Sequence, residues 1–105
     1  MPSHATAVRD AREDLRDEVM HRTHAIDAQG QSHKLVIVNM SANGLMARCD
    51  GNPGAGDPAR IHLPILGDVD AIVRWSLGGR IGCEFDRTIP LAEYYAMLAV
   101  MIRHI

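Results

Sequence analysis

Aromatic side chains are scarce in this sequence, with one Phe, one Trp and two Tyr among 105 residues. The aromatic interleaving on which single-stranded nucleic acid stacks is therefore missing. Basic excess is missing as well. The formal charge is −2 at neutral pH, whereas a domain devoted to nucleic acid carries a strongly basic face, so neither DNA nor RNA is expected as a partner. Cysteine occurs only at Cys49 and Cys83. Two are too few for a disulfide framework, and each lies inside an apolar run, which predicts buried free thiols. No apolar run is long enough to span a bilayer, and the first residues lack the charged-then-apolar layout of a secretory signal. The cytoplasm is the expected compartment. His21 and His24 are three apart and fall on opposite faces of a strand, while His4, His33, His62 and His104 are scattered singly, so no metal site is expected. No turn of the nucleophile-elbow type occurs, and Ser41 has no general base at an inferable position, so neither an enzyme nor a resident cofactor is expected.

What remains is the composition of one small soluble domain, 47% hydrophobic and 23% charged, with a single core. Residues 1–18 are polar and rich in charge and alanine, with Arg9, Arg12 and Arg16 recurring along them. They are expected to form a flexible N-terminal arm with nascent helix. Residues 19–105 then carry the folded unit.

Six short strands are predicted. Val19–Ile26 has moderate strand character, Lys34–Val38 is β-branched and clear, and Leu45–Cys49 comes third. The breakers between Asp50 and Pro58 form a loop. Arg60–Leu66 comes next, with Pro64 confining it to a strand end or edge. Val69–Trp75 and Arg80–Phe85 complete the set, separated by the turn Leu77-Gly78-Gly79. Such spacing suits a small six-stranded antiparallel β-barrel, an all-β fold whose closure removes exposed edges. A C-terminal α-helix is predicted from about Pro90 to His104, with proline in its first turn and Glu93 at the positive end of its dipole. Leu91, Tyr94, Tyr95, Leu98, Met101, Ile102 and Ile105 give it an apolar stripe, which Met97 and Val100 widen. Packing over the barrel mouth is the first expectation; a homodimer contact through part of the stripe is the second.

One stretch has more polar chemistry than a turn needs. Asn39-Met40-Ser41-Ala42-Asn43-Gly44 interrupts two apolar runs with a short amide, a hydroxyl and a glycine able to supply a positive φ. It could satisfy its own backbone or present a polar shelf to a ligand. Upstream, Arg12-Glu13-Asp14-Leu15-Arg16 places two arginines four apart in the arm. Together these segments resemble the PilZ family, whose signatures are RxxxR in an N-terminal arm and (D/N)xSxxG on the adjacent barrel strand. Val69–Trp75, Arg80–Phe85 and the C-terminal helix resemble the remainder of that family's domain.

The resemblance implies a receptor for cyclic diguanylate (c-di-GMP), a bacterial second messenger, acting on an unidentified downstream protein. Arg12 and Arg16 would close over ligand held at Asn39, Ser41 and Gly44, since a guanidinium can grip a guanine edge, pair with phosphate or stack on a base. Arg9 and Trp75 are secondary candidates, although Trp75 is expected to be buried under the barrel rim. Arg74 and Arg80 are expected to face solvent. The alternative is a module of the same fold that binds another protein and no cyclic diguanylate.

Overall fold

The computed structural model describes residues 15–102. Six antiparallel strands run in the order β1 (Asp17–Asp27), β2 (Ser32–Ser41), β3 (Gly44–Cys49), β4 (Pro58–Leu63), β5 (Gly67–Leu77) and β6 (Arg80–Phe85), and one helix comes last, α1 (Leu91–Ile102). The strands close into a barrel in the spatial order β1-β2-β3-β6-β5-β4. No strand edge is left open within it. The closing seam between β1 and β4 is short, pairing Ala25–Asp27 with Ala59–Ile61. Side chains extend it: Thr23 donates its hydroxyl to the His62 carbonyl at 2.6 Å, and the His24 and His62 rings stack with centroids 5.3 Å apart. No spacing in the sequence pointed to that histidine pair.

The expected strands are all present, with shifted ends. β1 begins at Asp17, because Asp17 and Glu18 pair with Met40 and Asn39 of β2; backbone pairing holds two acids that no apolar pattern would place there. β2 likewise continues through Asn39 to Ser41. β4 stops at Leu63, since Pro64 has no N–H to donate. The reversal is Pro64–Leu66, where the Leu66 N–H donates to the Pro64 carbonyl at 2.7 Å and Ile65 takes a positive φ of 72°. Gly67 opens β5.

The core is lined by Leu35, Ile37, Met40, Leu45, Ala47, Ile61, Leu63, Val73, Ile81, Cys83 and Phe85. Cys83 is a buried free thiol as expected, its pKa pushed up to about 12 chiefly by burial, and Cys49 is half-buried and free. Helix α1 closes one barrel end with Tyr94, Met97, Leu98 and Met101, an i, i+3, i+4, i+7 set on one face. The buried stripe is narrower than predicted, because Tyr95 and Ile102 remain 43% and 48% exposed. Met97 and Met101 are fully buried, and each contributes roughly 1.5–3 kcal/mol by leaving water, so apolar contact dominates the docking of α1. No helix among the described residues is long and apolar enough to cross a membrane.

Asp27 fastens the turn between β1 and β2. Its Oδ1 accepts the N–H groups of Gln29 and Gln31, both at 2.9 Å, and its Oδ2 lies 2.8 Å from His33 Nε2. The His33 bond above all, then the backbone amides, hold this carboxyl below the ordinary Asp value of 3.8. A depressed folded-state pKa gives stability that is complete above the unfolded-state pKa and is lost as pH falls through the folded-state value. Asp27→Asn is therefore expected to lower the thermal unfolding midpoint at neutral pH. Circular-dichroism melts should show that difference closing as the pH is taken down through and below the carboxylate range.

Candidate functional site

The Asn39–Gly44 stretch is mostly strand. Ser41 pairs with Gly44, leaving Ala42 and Asn43 as a two-residue connection. Both are tied down locally. The Ser41 Oγ accepts the Asn43 N–H at 3.1 Å, and the Asn43 and Ala42 carbonyls accept the N–H groups of Phe85 and Ile89 at 2.8 and 2.9 Å. Thr88 donates its hydroxyl to the Asn43 Oδ1 at 2.6 Å. Asn43 thus stitches the hairpin tip to the segment between β6 and α1. Gly44 does not supply the positive φ expected of it. Its role is close approach: a Cβ there would collide with the Cys83 carbonyl oxygen on β6.

Two β-bulges decide which groups face outward. Along a strand, residues two apart share a face. Ile37 and Val73 point into the core, so simple alternation would bury Asn39 and Trp75 with them. The register of β2 against β3 slips between Ile37 and Asn39, and that of β5 against β6 slips between Val73 and Trp75. Each slip inserts one residue, Val38 and Arg74, and inverts the facing of the next residues along the strand. Met40 returns to the core, fully buried, while Asn39 turns out. Trp75 turns out as well and is 42% exposed. The expectation that Trp75 is buried under the rim is thus overturned: the bulge at Arg74 turns the indole to the outer face. Its indole lies across Gly82 of β6, where any Cβ would strike the ring.

These residues line one cleft of about 580 Å³ on the outer barrel wall, which brings together Arg16, Asn39, Ser41, Gly44, Met46, Arg74, Trp75, Gly82 and Glu84. The size is in the range of small-molecule sites. Arg16 is exposed and donates from Nη1 to the Asn39 Oδ1 at 3.3 Å, so the residue entering from the arm already rests on β2. Arg74 Nε donates to Glu84 Oε1 at 2.7 Å across the cleft wall; both side chains are more than half exposed. Arg12 and Arg9 lie outside the described residues.

Charge distinguishes this cleft from its neighbours. It has two arginines, Arg16 and Arg74, to one acid, Glu84. The depression beside Asp27, Asp70 and Asp86 has three acids to Arg60. The one between Asp68 and Glu93 has four acids to Arg87. Of the three, the first has the balance that tolerates an anion.

A second contact joins the cleft to the helix. The buried Tyr94 hydroxyl donates to Asp17 Oδ2 at 2.5 Å, with the Met40 carbonyl 3.1 Å away. Burial first, then the Asp17 carboxylate, pushes the phenol well above its ordinary pKa. Asp17 is the residue after Arg16, so the backbone leaving the cleft is latched to α1. Sequence reasoning missed this bond, since nothing local connects an acid in β1 with a tyrosine 77 residues later.

The PilZ domain family matches residues 10–102. Among solved structures, the PilZ domain of CeSA from a cellulose-synthesizing bacterium superposes with a TM-score of 0.60 over 83% of this chain and 94% of that one, at 13% identity; that likeness is one of fold. No curated protein matches the chain.

Two substitutions test this geometry. Gly82→Ala is expected to lift the indole off β6. Trp75 is the sole tryptophan, so its emission should shift to longer wavelength while the far-ultraviolet circular dichroism stays unchanged. Tyr94→Phe should destabilise the domain by about 1.5–3 kcal/mol in urea unfolding, the net worth of a hydrogen bond to a charged acceptor.

Proposed function

The chain belongs to the PilZ domain family, and from that premise we propose that it binds cyclic diguanylate in the cleft between Arg16, Asn39 and Trp75. PilZ domains are in general binding modules for this ligand and for partner proteins, rather than enzymes. The observation that carries the reading is that Arg16, the second arginine of one signature, donates to Asn39 of the other at 3.3 Å in a cleft where arginines outnumber acids. The ligand offers two phosphates and two guanines. Arg16, joined by Arg12 and Arg9 of the arm, supplies guanidinium groups that pair with phosphate or with the O6 and N7 edge of guanine. Asn39 offers hydrogen bonds from the rigid wall, the nearly buried Ser41 hydroxyl keeps its proton to donate while its oxygen accepts the Asn43 N–H, and Gly44 keeps that wall low. The half-exposed indole of Trp75 gives a base a flat surface, worth about 1–3 kcal/mol per stacked base.

Binding then reorders the arm over the barrel, and this is the signal. Ordering costs conformational entropy, which moderates affinity and provides a readout. The Asp17–Tyr94 bond carries the change towards α1, whose exposed Tyr95 and Ile102 offer a surface to a downstream protein or to a second copy of the chain. Action in the cytoplasm belongs to the same proposal. The exposed Leu77, Tyr95 and Ile102 also favour a second reading, a protein-interaction module that binds no cyclic diguanylate.

Calorimetric titration with cyclic diguanylate at low and moderate salt separates the two. Saturable heat with concurrent quenching of Trp75 emission is expected for the wild type. Arg16→Ala should weaken binding roughly 10- to 100-fold, the loss of one or two charge-assisted bonds. Absence of heat and of quenching in the wild type would leave only the interaction module.

A further inference from the structure

The cleft contains a carboxylate that the signature segments do not explain. Glu84 stands in a pocket proposed to take a dianion, where an unneutralised acid would repel the phosphates. It is neutralised locally. Arg74 Nε grips Oε1 at 2.7 Å, which leaves Oε2 as an acceptor on a pair without net charge.

Register sets where that acceptor lies. Glu84 is opposite Gly44 on β3, and Gly82 is opposite Met46 on β3 and Trp75 on β5. Glu84 and Gly82 are two apart on β6, so they share the outer face at about 7 Å along the strand. The indole that covers Gly82 is therefore a floor beside the carboxylate. Gly44 puts no side chain between Glu84 and Ser41, which is itself buried. The β5 bulge falls at Arg74 itself, which aims its guanidinium along the sheet at Glu84.

We propose that Glu84, held in place by Arg74, accepts hydrogen bonds from the Watson–Crick edge of a guanine stacked on Trp75 and so selects guanine over adenine in this cleft. The inference rests on the receptor reading above. Guanine presents N1–H and the N2 amino group side by side, two donors that suit a carboxylate, which only accepts. Adenine presents an unprotonated N1 there, and acceptor faces acceptor. Sites that bond a specific N–H reject analogues lacking it far more strongly than apolar pockets reject a size difference.

The test is a comparison of dissociation constants for cyclic diguanylate, cyclic di-inosinate (which lacks the N2 amino group) and cyclic diadenylate. All three carry the same two phosphates, so any gain from the Arg74 released in a variant cancels in the ratios. Wild type is expected to favour cyclic diguanylate over cyclic di-inosinate by roughly 10- to 100-fold, the loss of one hydrogen bond to a charged acceptor, and over cyclic diadenylate by more. Glu84→Gln, isosteric and on an exposed face, should narrow both ratios about tenfold, with unchanged thermal unfolding and Trp75 emission as checks on the fold. Glu84→Ala should narrow them at least as far. If wild type binds cyclic diguanylate and both variants keep the full ratios, the receptor reading stands and the role of Glu84 is overturned. If wild type binds none of the three, both fall together.

Discussion

A barrel strand has one face for the core, and alternation fixes that face two residues at a time. The cleft depends on breaking that alternation twice. Ile37 and Val73 are both buried, and without an extra residue on each strand the Asn39 amide and the Trp75 indole would be drawn inward with them. An amide buried without partners costs a few kcal/mol, and a ring the size of indole would overfill a core this small. The bulges at Val38 and Arg74 resolve both conflicts. Asn39 and Trp75 go out, and Met40 returns inward to meet Leu45. The two glycines between them complete the surface: Gly44 lets β3 approach the Cys83 carbonyl, and Gly82 leaves room for the indole. The same positions that relieve packing make the floor of the cleft.

Electrostatics then selects among the depressions on the wall. The chain as a whole is mildly acidic, which by itself argues against an anionic ligand. At physiological ionic strength, however, the screening length is about 8 Å, so a bound group responds to the charges lining its own cleft more than to the total. Arg16 and Arg74 outnumber Glu84 in the cleft where Arg16 meets Asn39, while acids dominate the two depressions around Asp70 and Asp86. Helix α1 enters through Tyr94, whose bond to Asp17 links the residue after Arg16 to the buried face of the helix. Two hydrogen bonds, Arg16 to Asn39 and Tyr94 to Asp17, thus tie adjacent residues at the start of β1 to the cleft and to the helix.

Much of this was legible in the sequence. β-branched runs and glycine turns gave the strand count, the apolar stripe gave the helix, and the paired signature segments indicated which residues converge. Arg16, Asn39, Ser41, Gly44 and Trp75 do line one cleft, with Arg12 and Arg9 outside the described residues. Three things were hidden, each for a physical reason. A bulge leaves no mark in a pattern of period two, so the outward turn of Trp75 was not legible, and its place at a strand end before a glycine turn read as burial under the rim. The close approach of Gly44 to Cys83 depends on a β3–β6 pairing far apart in sequence, so the glycine read as a turn residue. The Tyr94–Asp17 latch and the His24–His62 stack join segments with no local relation, and only closure of the barrel brings them together.

The central claim is that one anion-tolerant cleft on the outer wall receives cyclic diguanylate. The most direct measurement is a nitrogen–proton correlation spectrum of the labelled chain, recorded as cyclic diguanylate is added. Shifts are expected at the amides of Arg16, Asn39, Ser41 and Gly44, at the Trp75 indole N–H, and through Asp17 into the first turns of α1. An unchanged spectrum at saturating ligand, or shifts confined to the opposite barrel mouth around His33 and Cys49, would contradict it.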